Sequence, residues 1–397
     1  MQGNQRSILS DFDEIPPRYL SPQDLILDWL AAAHARAESN EPSEFESKMR
    51  RFIARFGCDS SRIASRAHEF DEVTHRDWER MRLYNVIQNP HGAPLDVRMQ
   101  LFQEGAERVF AAAYRETSEP PRNLLHVTCT GYVSPSAAQK LVESKGWGTR
   151  TQVTHLYHMG CSAAIPAIRV ACGLGSLEPD SRADIVHTEF CTLHLDPLLH
   201  APEQLVVQSL FADGAIRYSV QNGIVKPGFE ILSMHEVMAR DSGGDMRWIT
   251  GSWGFQMSLS SNVPSRICSL ITDFMKELFR RADRDYSHDR SEAVFAVHPG
   301  GPKIIDLVQQ SLELQPSQLA KSREVLRERG NMSSATLPHI WNRILRDKDI
   351  ANGTLIPSVA FGPGLTLSGV LLRKREGAYE SLDRGVICPA SRSDAIR

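Results

Sequence analysis

The chain has no long apolar run. No eighteen consecutive residues are hydrophobic, which by sequence excludes a membrane-spanning helix. The opening residues, Met1-Gln2-Gly3-Asn4-Gln5-Arg6, lack the apolar segment of a secretory signal. Charge of one sign is missing too. With 45 Lys and Arg against 48 Asp and Glu the formal net charge is −3, so no global field draws the chain to nucleic acid or anionic lipid. The seven cysteines (58, 129, 161, 172, 191, 268 and 388) form no CxxC pair. An odd, scattered set argues against a disulfide scaffold and fits a reducing cytoplasm. What is present, 41% hydrophobic and 23% charged residues over 397 positions, suits a globular protein with one large core or two medium ones.

One stretch organises the rest: Tyr157-His158-Met159-Gly160-Cys161-Ser162-Ala163-Ala164. Val153, Leu156 and Tyr157 before it read as a buried strand. Ile165, Ile168 and Cys172 after it recur at helical spacing, with Gly173 and Gly175 as a C-cap. Pro166 is tolerated only near the first turn, so the helix must begin close to Cys161. A thiol there feels free backbone N–H groups and the positive end of the helix dipole, and both favour thiolate.

Residues 1–20 read as an irregular arm, and Ser21-Pro22 as the cap and first turn of a helix. A second helix covers 43–57, with Lys48, Arg51 and Arg55 along one face and Met49, Phe52, Ile53 and Phe56 along the other. On periodicity alone that basic stripe is a solvated face, and the alternative is an anion site for a phosphorylated ligand. Helical segments are predicted over roughly 76–117. Strands and helices then alternate to Leu372, which indicates an α/β architecture. Glycines and Pro227 near 222–230 place a boundary there, giving halves 1–228 and 229–397, with a polar tail from about 374.

Cys161, His298 and Asn331 each stand where an apolar stretch meets a turn, where α/β folds place ligands. A histidine can hold a thiolate as an ion pair, and imidazole and amide N–H groups together stabilise an oxyanion or enolate. A papain-like protease uses the same three residue types, but its cysteine context is absent. A zinc site at His155, His158 and Cys161 is disfavoured, since strand geometry turns the two histidines to opposite faces.

Four collinear motifs are more specific. They are Gly160-Cys161 with its small-residue helix, Val297-His298-Pro299-Gly300-Gly301-Pro302, Gly330-Asn331-Met332-Ser333-Ser334-Ala335 and Phe361-Gly362-Pro363-Gly364-Leu365. Together they resemble the chalcone synthase-like, type III polyketide synthase family. The resemblance implies a thiolase fold, two similar α/β halves stacked as five layers (αβαβα), in a cytoplasmic homodimer. It implies Cys161 as nucleophile, His298 and Asn331 as the decarboxylation and oxyanion pair, and Lys48, Arg51 and Arg55 against CoA phosphates, which reverses the solvated-face reading. Phe211 and Met257 would be gatekeepers, His194 and Thr130 cavity residues, and Gly362, Pro363 and Gly364 a loop of the cyclisation pocket. Ser134 stands where plant enzymes carry a methionine that crosses the dimer.

The segments Leu27–Ala35 and His187–His194 look more like bacterial members that make alkylresorcinols and alkylpyrones. The implied substrates are an acyl-CoA or acyl-carrier-protein starter, long-chain by expectation, and malonyl-CoA, with no metal or other cofactor. Alternatives within the scaffold are a pyrone-forming ketosynthase joining two carrier-bound chains and a malonyl-only small-phenol synthase. A catalytically silent scaffold is the non-enzymatic alternative.

Overall fold

In the computed structural model, residues 6–38, 42–116, 119–223 and 226–376 are described. The chain runs through β1 (Ser7–Glu14), β2 (Tyr19–Pro22), α1 (Gln23–Glu38), α2 (Pro42–Phe56), β3 (Ser65–His68) and α3 (Leu95–Ala113). It continues with β4 (Asn123–Thr128), α4 (Ala137–Ser144), β5 (Gln152–Tyr157), α5 (Ala164–Leu177), β6 (Arg182–Phe190), α6 (Pro202–Leu210) and β7 (Asp213–Asn222). Next come β8 (Gly228–Met238), β9 (Met246–Thr250), β10 (Phe255–Leu259), α7 (Val263–Arg280), α8 (Tyr286–Asp289) and β11 (Ala296–Val297). The last elements are α9 (Pro302–Ser311), α10 (Ala320–Arg329), α11 (Thr336–Arg346), β12 (Leu355–Gly362) and β13 (Thr366–Arg375).

Nine strands form one sheet in the order β11-β12-β13-β8-β1-β7-β6-β4-β5. β4 lies parallel to β5 and β6, and β11 parallel to β12; the other pairs are antiparallel. Successive side chains of a strand face opposite sides, and this period of two sorts the interior into separate cores. Leu124, Val186 and Ala215 face a core shared with α1 and α3, while their neighbours Leu125, Ile185 and Ile216 face another. In β12, Leu355 and Val359 join a third core with α7 and α9, and Ile356 and Ala360 turn inward. The inward residues of both halves meet on α5 (Ile165, Ile168) and α11 (Ile340, Trp341, Ile344). Outer helices, strands, α5 with α11, strands and outer helices therefore follow one another as five layers.

Several local expectations change. Residues 7–14 are not an arm: β1 pairs with both β7 and β8, with Leu9 opposite Val220 and Phe229, and so joins the halves. Its eight residues mix apolar and polar side chains without a clean period of two. Ser21 and Pro22 close β2, and α1 starts at Gln23, whose buried amide donates to the carbonyls of Cys58 and Ser209. Of 76–117, only Leu95–Ala113 is α-helix, and the preceding stretch is turns. Lys374 and Arg375 belong to β13, with the Lys374 ammonium donating to the Asp347 and Ile350 carbonyls. The rest of the predicted tail, and Cys388 with it, lies outside the described residues.

Candidate active site

Cys161 sits in a short 3-10 turn, Gly160–Ser162, between β5 and α5. Pro166 falls in the first turn of α5, where a missing N–H costs nothing. β5 is the sheet edge and only partly buried, so the predicted core strand is instead half-exposed. α5 does not end at its glycines. It runs through Gly173 and Gly175 to Leu177, and the bare Gly175 lets Asn222 approach and donate to its carbonyl at 2.9 Å.

Gly160 has φ +69°, and a Cβ there would lie 2.2 Å from Pro363 Cδ. A Cβ on Gly362 would lie 2.3 Å from Ser162 Oγ. The hairpin loop between β12 and β13, turned by Gly364 at φ +63°, is thus seated directly on the cysteine turn. This gives the glycines of both motifs a steric reason.

The cysteine faces a mostly apolar cavity, with Thr130, His194, Phe211, Met257, Ser333 and Pro363 among its lining residues. Cys161 Sγ lies 3.8 Å from Ser333 Oγ. Ser333 has a left-handed backbone (φ +49°), uncommon for a serine and a mark of local constraint. Its N–H donates to Asn331 Oδ1 at 2.9 Å. That contact occupies the amide oxygen and leaves Asn331 Nδ2 buried with no protein partner. The Asn331 backbone is pinned as well: its N–H donates to Leu210 O, and its carbonyl accepts from Ala212 N. Phe211, the predicted gatekeeper, is bridged to Asn331 in this way.

His298 follows β11 and is anchored by its N–H to Val359 O at 2.8 Å. Three residues further along β12 is the Gly362 that packs on Ser162. Neither ring nitrogen of His298, although buried, has a hydrogen-bond partner. Native interiors rarely leave such groups unsatisfied, so the two imidazole nitrogens and the Asn331 amide are free to bind a ligand, although neither residue is among those lining the cavity that Cys161 faces.

Protonation departs from expectation. Burial pushes the Cys161 thiol up to about 12, only partly offset by the Ser333 hydroxyl, and nearby Glu189 adds to the rise. Burial lowers His298 to about 3. The resting pair is therefore thiol and neutral imidazole, not thiolate and imidazolium. Desolvation thus works against the thiolate that the helix-terminus argument expects, and Cys161 lies in the 3-10 turn that leads into α5 and not in α5 itself.

The remaining predicted residues divide into two groups. His194 has both nitrogens occupied: Nε2 donates to Thr130 O at 2.8 Å, and Nδ1 accepts from Phe255 N–H at 3.1 Å. It stacks on Phe255 at 4.3 Å and is a fixed wall. Met257 on β10 lines the same cavity. Lys48, Arg51 and Arg55 are exposed on α2, with no ion pair among the described residues, while Arg50 pairs with Glu46 and Asp28. Lys48 lies over the Phe45 and Phe52 rings and Arg55 over Phe56. α2 packs on α6, whose Gln204, Val207 and Gln208 line the cavity, and the basic stripe lies on the exposed face of α2, outside that lining.

Sequence reasoning missed Ser333 as a contact of Cys161, the buried Glu189, and the β9–β10 hairpin that supplies Trp248, Trp253 and Phe255 to the wall. The only signal for Ser333 was its place in the Gly330–Ala335 motif. His155 is held by Ser136 at 2.8 Å, and among the described residues no three His, Cys, Asp or Glu cluster closely enough for a metal ion.

The fold and site define a class, the thiolase-like α/β proteins, and solved structures agree. The C-terminal type III polyketide synthase domain of Steely1, a type I/III hybrid from Dictyostelium, is 22% identical with TM-score 0.78, covering 93% of this chain and 99% of that one. PKS-I from the brown alga Ectocarpus siliculosus is 21% identical with TM-score 0.80, covering 94% and 99%. Tetrahydroxynaphthalene synthase from Streptomyces coelicolor is 22% identical with TM-score 0.76, covering 93% and 100%. At these identities the likeness concerns the fold.

Family membership rests on sequence. The N-terminal domain of chalcone and stilbene synthases matches residues 39–222, and the C-terminal domain matches 241–375. The chain belongs to this family, the type III polyketide synthases. Among curated proteins, "Probable polyketide synthase 1" of Dictyostelium discoideum is 29% identical over 259 residues, 63% of this chain. The chain spans only 8% of that relative's length. Among the described residues, no helix is long and apolar enough to cross a membrane.

Proposed function

We propose that the protein extends an acyl starter with malonyl-CoA and cyclises the product to an alkylresorcinol or alkylpyrone. The observation that carries this reading is a buried thiol facing an apolar cavity, in a chain that also buries two unpartnered imidazole nitrogens and an unpartnered amide. The starter thioester is attacked by Cys161, whose proton is taken up by neutral His298 and leaves with the CoA thiol. The malonyl thioester carbonyl then accepts hydrogen bonds from the His298 N–H and Asn331 Nδ2. Loss of CO2 puts the electron pair into an enolate that these donors stabilise. The enolate carbon attacks the Cys161 thioester, a carbon–carbon bond forms, and the carbon–sulfur bond breaks to release a thiolate that takes a proton from solvent. Neutral imidazole suits this role, since it offers one N–H donor and one lone pair.

Lys48, Arg51 and Arg55 hold CoA phosphates in this reading, and Phe211 and Met257 gate the passage from them to Cys161. Gly362, Pro363 and Gly364 roof the pocket where the ring closes, with Thr130 and His194 in its walls. A long alkyl starter is favoured by the apolar lining and by Met257, an adaptable side chain. The halves 1–228 and 229–397 act as one unit in a homodimer, cytoplasmic and without metal or other cofactor. The test is a product profile by mass spectrometry with malonyl-CoA and starters from acetyl- to long-chain acyl-CoA, beside Cys161→Ala. Alkylresorcinols or alkylpyrones from long starters, absent in the control, are expected. Strong preference for acetyl or aromatic starters refutes the alkyl assignment.

A further inference from the structure

A polar chain that the condensation does not use runs behind the cavity. Glu189, at the buried end of β6, takes four donors. Cys129 N–H (2.9 Å) and the Thr130 hydroxyl (3.2 Å) reach Oε2, while Ser334 N–H (3.3 Å) and the Ser334 hydroxyl, in a very short contact, reach Oε1. Ser334 Oγ lies 2.9 Å from His187 Nδ1, and His187 Nε2 lies 2.9 Å from the Tyr218 hydroxyl. All these residues are buried. With Glu189 ionised the direction of donation is set: the Ser334 hydroxyl donates to the carboxylate and can only accept from His187, so Nδ1 carries the ring proton and Nε2 accepts from Tyr218.

We propose that His187 is a positioning residue for the Cys161 site: its Nδ1–H orients the Ser334 hydroxyl onto Glu189 and so holds that carboxylate in its ionised form beside the nucleophile. The inference rests on the reading of Cys161 as nucleophile. Burial raises Glu189 to about 7, and the donors from Ser334, Cys129 and Thr130 work against that rise. The titratable groups facing Glu189 are Cys129, Cys161 and Cys191, with Asp213 beyond Cys191, while His126 and His339 face His187. An ionised Glu189 adds to the rise that burial imposes on the Cys161 thiol, so this chain sets the charge beside that sulfur. Removing the histidine donor weakens stabilisation of the carboxylate and moves its titration upward.

The test is an infrared pH titration of the protonated-carboxyl stretch in the purified full chain, assigned by its loss in Glu189→Gln, which separates it from Asp213. Asparagine places an amide nitrogen as many bonds from Cα as Nδ1, and glutamine as many as Nε2. His187→Asn is expected to keep the wild-type midpoint, and His187→Gln to raise it by about one pH unit. Any other ordering, including equal midpoints for the two variants or a raised midpoint in asparagine alone, overturns the proposal. His187→Leu, where it folds, should behave as glutamine does. The titration uses no substrate, so its failure is distinct from failure of the condensation assay.

Discussion

His194 and His298 are both buried and both held neutral by desolvation, with values lowered to about 3. They differ in what surrounds the ring. His194 spends both nitrogens on backbone groups, Thr130 O and Phe255 N–H, and stacks on an aromatic face. His298 spends neither. One imidazole ties the β10 strand to the loop after β4, and the other is held only through its own backbone. Burial and protonation state are therefore the same at the two positions. Hydrogen-bond satisfaction is what differs, and a buried polar group left without a partner costs stability.

Breaking this contrast begins at the nucleophile. Cys161→Ala should abolish carbon–carbon bond formation while malonyl-CoA decarboxylation persists, read by release of labelled CO2. His298→Ala should lower the condensation rate by roughly a hundredfold to a thousandfold, the usual cost of an oxyanion donor, with little change in thermal melting. His194→Ala should show the converse: about 2–4 kcal/mol lost in chemical denaturation, because Phe255 N–H and Thr130 O are stranded and the ring leaves a cavity. Equal stability losses at positions 194 and 298 would undo the comparison. On the surface, Lys48→Ala, Arg51→Ala and Arg55→Ala should each raise KM for the CoA thioester by about three- to tenfold, an effect that shrinks as salt is raised and leaves kcat alone.

A pH titration of stability sharpens the same contrast. His34, His126, His187, His194 and His298 are all lowered by burial to about 3. Between that value and an unfolded value near 6.5, the unfolded chain binds protons that the folded chain refuses. Stability is therefore full above about 6.5 and lost as pH falls. Glu189 and Asp213, raised to about 7, act in the opposite sense, but they are two against five. The midpoint of thermal melting should fall from pH 7 to pH 5, and a flat profile would show that these rings are not held neutral.

Much of this was legible in the chain. Cys161 and Asn331 each follow a glycine and His298 precedes proline and glycine, residues that report local backbone geometry directly. The apolar runs in β4 and β12 likewise report burial on both faces, which the structure shows without a break. Ser333 was not legible as a contact of the sulfur, since a serine gives no sign of a left-handed backbone imposed by its surroundings. Nor could Glu189 be told from a surface carboxylate, because its four donors come from segments far apart in sequence. The thiolate expectation failed for a related reason: a helix terminus is local, but the desolvation that overrides it belongs to the assembled cavity. β1 escaped because its partners, β7 and β8, lie two hundred residues away, roughly, and short strands carry little period of their own.

The seat of Pro363 on Gly160 has a consequence for biosynthesis of the chain itself. The first half is made long before the loop that covers its cysteine, and domains fold as they emerge. Until the last hairpin arrives, the sulfur has no roof and no finished pocket. A chain cut short of Phe361 therefore leaves the cysteine turn without the loop that is seated on it.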